Sequence, residues 1–255
     1  MKVYKKIYFE IDNGLDVVML VGEPVRKEEF DKMFRLRYEI YSQHGYINEK
    51  LYPDKKEKDE YDSDGKSRYF IAMIDDHIVG SLRIIQDYYL PTEKECFRFV
   101  EPEAIKKIHR GCRAEVGRLI AKKYRVGNNF LPRHMTLLAL FAAVEKFSSE
   151  NNIAGGYAFI KNSLKKKLEK LMFPFHEIKP NEEIYGQGVL KPYFDQKKNP
   201  VIPIYFLASE IRQYFIGMTR FKLLLVRINE NEYRFKKTSI LKILLWKFFH
   251  ILDRI

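Results

Sequence analysis

At 255 residues, with 46% hydrophobic and 15% aromatic residues, the chain carries enough apolar material for a full core, which excludes a disordered polymer. Its two cysteines, Cys96 and Cys112, stand sixteen positions apart with no Cys-x-x-Cys or Cys/His pattern, so neither a disulfide framework nor a metal site is expected. The formal net charge of +12 favours an acidic partner, but the basic residues are dispersed and no nucleic-acid-binding motif accompanies them, so nucleic acid is set aside.

In chain order, residues 3–11 and 16–21 are rich in Val, Ile, Tyr and Phe around Asn13-Gly14, which predicts a hairpin. Phe30, Met33, Phe34, Ile40 and Tyr41 recur at helical spacing over about 26–43. The stretch Asn48–Arg68 is polar, contains Pro53 and Gly65, and reads as a surface loop fit to carry function. Strands are expected at Tyr69–Ile74 and His77–Gln86 around the turn residues Asp75-Asp76. A helical piece near Pro102–His109 and a strand at Arg113–Tyr124 follow. The clearest helix covers 132–150, with Pro132 near its start. A strand at Ala154–Ile160, a lysine-rich helix at 163–171 and a strand pair within 175–208 complete a mixed α/β body without repeats.

The texture changes after about residue 215. A hairpin is expected across Phe221–Ile228 and Tyr233–Lys236, then a helix over Thr238–Ile255 that is apolar on nearly every face. The expected division is therefore 1–215 for the main domain and 216–255 for a hairpin-plus-helix extension. Lys242, Lys247, His250 and Arg254 interrupt the helix, and nothing approaches the roughly 20 apolar residues needed to cross a bilayer. With no signal-peptide pattern at the start, a cytoplasmic protein is expected. The last helix either touches the inner membrane surface or packs on protein.

A scattered set of charges carries the most information. Arg37 lies in Arg-x-x-x-Tyr; Glu57, Asp59 and Asp62 form Glu-x-Asp-x-x-Asp; Arg83 follows Gly80; Glu115 and Arg118 form Glu-x-x-Arg. Arg83, Glu115 and Arg118 interrupt strand-forming segments that are half buried, where an ionised group needs a partner. Three arginines and four carboxylates can satisfy one another, either as a staple of loop and helix onto the sheet or as a reactive site.

In order and spacing, these seven positions resemble the acyl-homoserine-lactone synthases and the related N-acyl amino acid synthases, over roughly residues 25–180. The resemblance implies a GNAT-like (acetyltransferase) acyl-CoA N-acyltransferase fold, a mixed central sheet flanked by helices. It also implies transfer of a fatty acyl chain from acyl carrier protein, or from acyl-CoA, to an amine. No permanently bound cofactor is implied; the phosphopantetheine thioester is a co-substrate, and the acidic carrier suits the basic chain. Where the lactone synthases carry Trp after the first Arg motif, this chain has Tyr46-Ile47, and Gly117 replaces the Ser of their Glu-x-Ser-Arg. The segment from Ile84 to Thr92 is also longer than their Pro-Thr turn. These departures shift the expected acceptor from S-adenosylmethionine, which would make the chain an autoinducer synthase, to an amino acid or similar amine. A non-catalytic lipid- or partner-binding module is the alternative of another class.

Acyl transfer to an amine requires deprotonation of the amine, polarisation of the carbonyl and alignment of both. Glu115, Arg118 and Arg83 are the expected catalytic residues, and Arg37, Glu57, Asp59 and Asp62 the supporting cluster. Glu115 is either the base, directly or through water, or an orienting partner of Arg118. Backbone amides near Leu119–Ala121 are expected to hold the oxyanion. Leu119, Ala121, Arg125, Gly127 and Asn128, ahead of the helix near Pro132, are expected to take the phosphopantetheine. Phe130, Leu138, Phe141 and Phe159 are the expected acyl-chain lining.

Overall fold

The computed structural model describes residues 1–10, 16–126, 129–131, 133–183, 191–220 and 225–235. The chain opens with β1 (Lys2–Glu10), β2 (Asp16–Glu23), α1 (Lys27–Gln43), β3 (Ser67–Ile74) and β4 (His77–Ile85). It continues through β5 (Phe97–Arg98), α2 (Glu103–Lys106), β6 (Arg113–Ala121), β7 (Tyr124–Val126), β8 (Asn129–Leu131) and α3 (Arg133–Glu150). The remainder is β9 (Gly155–Lys161), α4 (Asn162–Lys170), β10 (His176–Glu177), β11 (Glu182–Glu183), α5 (Lys191–Phe194), β12 (Val201–Leu207), α6 (Ala208–Arg220), β13 (Leu225–Arg227) and β14 (Glu232–Phe235).

One mixed sheet runs in the order β10-β12-β9-β6-β4-β3-β2-β1-β14-β13. Its pairs are antiparallel except β6 with β9 and β1 with β14. Helix α3 lies across one face, where Ile7, Met19, Phe70, Leu138 and Leu140 are sealed from solvent. Its sequence is apolar nearly all round because the sheet covers one side and α6 packs nearby. On the opposite face α1 packs Met33 and Phe34 on Ile71 and Met73, and Leu36 and Tyr41 beside Ile120. The expected mixed sheet flanked by helices is the architecture that forms.

Two features depart from the sequence expectation. Helix α6 was not anticipated, although Ile211, Tyr214, Phe215 and Met218 recur at helical spacing in Ala208–Arg220. The strand β12 runs directly into it, so no turn residue marks the change. The expected boundary at 215/216 falls within this helix, and the hairpin β13–β14 joins the main sheet through β1. The expected hairpin turn at Asn13-Gly14 and the expected helix over 238–255 lie outside the described residues. Among the described residues no helix is long and apolar enough to cross a membrane.

The feature that creates a site is a split between two central strands. β6 pairs with β9 only over Arg113–Val116 against Gly155–Ala158, and beyond that level the two strands part. At the same level the β4–β6 register shifts between Ser81 and Arg83, and Arg118 takes φ +53°. A left-handed backbone at a non-glycine residue costs about 1–3 kcal/mol, so other contacts must hold it. Where the strands are paired they are very close: a Cβ on Gly156 would stand 1.7 Å from the Ala114 carbonyl oxygen. Gly156→Ala is therefore expected to lower unfolding stability by about 3 kcal/mol or more in chemical denaturation, because a backbone clash has no side chain to yield.

Candidate functional site

The seven charged positions do not form one cluster. Arg37, Arg83 and Arg118 bind Glu57, Asp59 and Asp62, three cations against three carboxylates, while Glu115 stands apart. Arg37 comes from the buried face of α1 and grips both oxygens of Asp62, Nη1 at 3.0 Å and Nη2 at 2.9 Å, while its Nε donates to Glu57. Asp62 also accepts from Arg83 Nη1 and from the Tyr69 hydroxyl, each at 2.9 Å, and from the Asp59 amide at 2.9 Å. Arg83 turns its other nitrogen to Asp59 at 2.8 Å. Arg118 closes the ring, its Nε donating to Glu57 at 3.1 Å and its Nη2 to Asp59.

Arg37 is 1% exposed and Glu57 is fully buried, so these charges exist only as a set. Burial alone would raise the Asp62 carboxyl, but the guanidinium groups of Arg37 and Arg83 outweigh it and hold the group well below its ordinary range. Asp59 is likewise lowered, burial being outweighed by Arg118 and Arg83. Burial would lower Arg37 and Arg118, yet their carboxylate partners keep both firmly cationic. The loop Asn48–Arg68, expected as a surface loop, thus delivers three carboxylates beneath α1. The Glu57 amide anchors it further by donating to the Phe34 carbonyl at 3.1 Å.

Glu115 is not an ion-pair partner of Arg118. Its Oε2 accepts from the Thr92 amide at 2.7 Å and from the Thr92 hydroxyl. Burial pushes its carboxyl up to about 7, against the opposing pull of the two Thr92 bonds, Arg83 and Arg118. The sequence expectation left Glu115 either orienting Arg118 or acting as a base. The geometry removes the first, because Arg118 is occupied by Glu57 and Asp59. Thr92, which supplies both donors, was missed; Pro91-Thr92 was noted only for the length of its segment.

The split between β6 and β9 opens into a cavity of about 880 Å³. Gly117 to Ala121 form one wall and Ala158 to Lys161 the other, with Tyr41, Tyr46 and Tyr193 over one end. Helix α3 contributes His134, Leu137, Phe141, Val144 and Ser148, the i, i+3, i+4 face of a helix. Arg118 is shared between ionic ring and cavity, its guanidinium carbon 5.8 Å from the Tyr41 ring centre. Beyond Val116 the β9-facing edge of β6 has no strand partner among the described residues, and its backbone groups face the cavity. Lys123, Arg133, Lys167 and Lys170 also line this space.

Of the expected acyl-chain residues, Phe130, Phe141 and Phe159 line the cavity, and Phe130 is 53% exposed. Leu138 does not; one position on from Leu137, it turns about 100° into the packed core. Leu119 and Ala121 line the split as expected. Arg125 does not line it: it lies exposed on β7. Gly127 and Asn128 lie outside the described residues. Lys161, Tyr193 and His134 were missed. Lys161 alone had a visible signal, a cation ending the otherwise uncharged run Gly-Gly-Tyr-Ala-Phe-Ile. Among the described residues no group of His, Cys, Asp and Glu is placed to hold a metal.

Two stability measurements test this electrostatic picture. Arg37→Ala leaves Glu57 and Asp62 buried without their main partner and should cost about 3–5 kcal/mol in chemical denaturation. For Glu115, folding raises the carboxyl from 4.5 to about 7. Its contribution is therefore full below pH 4.5 and lost as pH rises through 7, an upper figure of about 3 kcal/mol. Glu115→Gln keeps an acceptor for Thr92 and never ionises, so the variant should gain on the wild type steadily between pH 5 and 8.

A family profile described as N-acyl amino acid synthase FeeM matches residues 32–156. That span contains the ionic ring, Glu115, the left-handed Arg118 and all of α3. No curated protein sequence matches at a significant level. Among solved structures, the acyl-homoserine-lactone synthase LasI aligns with a TM-score of 0.56 at 14% identity, covering 79% of this chain and 95% of its own. FeeM itself, an N-acyl amino acid synthase from uncultured soil microbes, aligns at 0.53 and 19% identity, covering 80% and 97%. The CoA-dependent acyl-homoserine-lactone synthase BjaI, solved with SAM and isopentyl-CoA, aligns at 0.51 and 13%, covering 95% and 99%. At these identities the structures speak for the fold, a GNAT-like one similar to that of the acyl-homoserine-lactone synthases, and the profile, which spans just under half of the chain, supports an acyltransferase similar to the N-acyl amino acid synthase FeeM.

Proposed function

We propose that the protein transfers a fatty acyl chain from a phosphopantetheine thioester, carried by acyl carrier protein or CoA, to the amino group of an amino acid. The observation that carries this reading is the split between β6 and β9: a largely apolar cavity beside an unpaired strand edge and a buried carboxyl raised to about 7. The arm would enter through the split, with Phe130, Phe141 and Phe159 receiving the chain. Lys123, Arg133, Lys167 and Lys170 supply positive charge for the phosphate or an acidic carrier.

The chemistry follows from the strand. Glu115 and Gly117 are two residues apart on one face of β6. A Cβ on Gly117 would meet nothing within 4 Å, so the face beyond Glu115 is open. An amine placed there, directly or across one water, gives its proton to Glu115 and its lone pair to the thioester carbon. The oxyanion is held by backbone N–H groups along Leu119–Ala121, and as it collapses the C–S bond breaks and the departing sulfur takes the second proton from the adduct nitrogen, leaving the amide. Arg118 fixes this strand through Glu57 and Asp59, and Arg83 holds Asp59 in place. The expected autoinducer-synthase alternative needs S-adenosylmethionine as acceptor; Tyr46 now stands in the cavity wall against Tyr193, ring centres 5.0 Å apart. That aromatic end suits a compact amino acid.

Incubation with acyl carrier protein or CoA thioesters and a panel of amines, followed by mass spectrometry, tests this. An N-acyl amino acid is the expected product. A lactone dependent on S-adenosylmethionine would instead establish the alternative, and release of carrier without any acylated amine would sink transfer altogether. With a base near pH 7, kcat/KM should rise through that pH, and Glu115→Gln should lower it about a hundredfold or more.

A further inference from the structure

Lys161 is a buried charge in the cavity wall that neither the ionic ring nor the acyl-transfer chemistry uses. It ends β9 and is only 4% exposed, yet it lines the cavity. Among the described residues it has no ion-pair partner. Its ammonium donates to the Tyr193 carbonyl and lies 4.3 Å from the Tyr193 ring centre and 5.1 Å from that of Tyr46. An ammonium has three donors, so two remain for a ligand. Desolvation lowers its pKa to about 8, as expected for a buried cation that lacks a counter-ion. Among the described residues the cavity wall carries one carboxylate, Glu145, and Arg212 binds it at 3.1 Å.

The strand register gives the lysine a place relative to the base. Glu115 sits opposite Tyr157 in the parallel β6–β9 pair, so Glu115 and Gly117 share a face with Tyr157, Phe159 and Lys161. Moving along that face, the buried carboxyl comes first, then the open position over Gly117, then the level of the buried ammonium. The two levels are four strand positions apart, about 13 Å, so an α-amino acid over Gly117 meets both groups through the reach of the Lys161 side chain on its carboxylate side and through a water to Glu115 on its amine side.

We propose that Lys161, held between Tyr46 and Tyr193, is the recognition site for the α-carboxylate of the acceptor, so that the enzyme selects amino acids over amines lacking an acid group. The inference rests on the acyl-transfer reading above. The anion supplies the missing counter-charge, and the two tyrosine rings keep the ammonium aimed into the cavity. Arg118 is a poorer candidate, because Glu57 and Asp59 already occupy it.

The test compares wild type, Lys161→Met and Lys161→Arg with leucine and phenylalanine, each against its carboxamide, using one acyl thioester. Lys161→Met should lower kcat/KM for the acids about tenfold or more, the worth of a charge-assisted hydrogen bond, and leave the amides within about twofold. Lys161→Arg should retain most of the preference. Taking the acid-to-amide ratio of each variant over that of wild type cancels the different basicity of the two amines. An equal fall for acids and amides, or an unchanged ratio, overturns the assignment. If Lys161→Met does not fold, product inhibition of the wild type decides: N-dodecanoyl-leucine should bind about tenfold tighter than its carboxamide. Equal inhibition overturns the proposal. A wild type that acylates no amine overturns the transfer reading and this assignment with it, a result distinct from one that acylates acids while Lys161 proves indifferent.

Discussion

Everything at the site depends on the ring of Arg37, Arg83 and Arg118 with Glu57, Asp59 and Asp62. None of these groups is tolerable alone at its depth, since an isolated buried ion costs several kcal/mol. Together they are neutral, and Asp62 alone collects five donors. The ring ties α1, the loop that follows it, β3, β4 and β6 into one body. It also holds the guanidinium of the residue whose backbone is left-handed, which helps a strained conformation persist in the middle of a strand.

That strain has a consequence for the sheet. With Arg118 kinked, β6 stays in register with β4 after a one-residue shift but no longer follows β9. The gap is the cavity, and its two walls are strand edges rather than loops. Sites on such elements are held more tightly than sites on loops, which suits a reaction that depends on alignment. The ionic ring therefore braces the geometry of the split, and it leaves Glu115, the open edge of β6 and the ammonium of Lys161 outside its own charge balance. Of the seven charged positions, six pair with one another in the ring and Glu115 stands outside it.

The separation of Glu115 from Arg118 matters most for its protonation. Paired with a guanidinium, the carboxyl would be held low and make a weak base at neutral pH. Hydrogen-bonded by Thr92 and buried, it is raised instead, against the weaker pull of Arg83 and Arg118. The cost of that raised value appears as lost stability above neutrality, a trade commonly found where a residue serves function rather than folding.

The sequence by itself determined the mixed α/β body, its longer strands and helices through α4, and the identities of the charged residues, because periodicity and buried charge are local properties of the chain. Leu119 and Ala121, expected at the phosphopantetheine, and Phe130, Phe141 and Phe159, expected at the acyl chain, all line the cavity at the split. Tertiary structure decided who pairs with whom. Glu115 and Arg118 are three apart in sequence, but a left-handed backbone and a loop some sixty residues earlier give Arg118 other partners. Leu138 faces the core because one step along a helix rotates a side chain by about 100°. Lys161 and Tyr193 meet only because α5 folds back over the end of β9, a contact that no spacing in the sequence encodes.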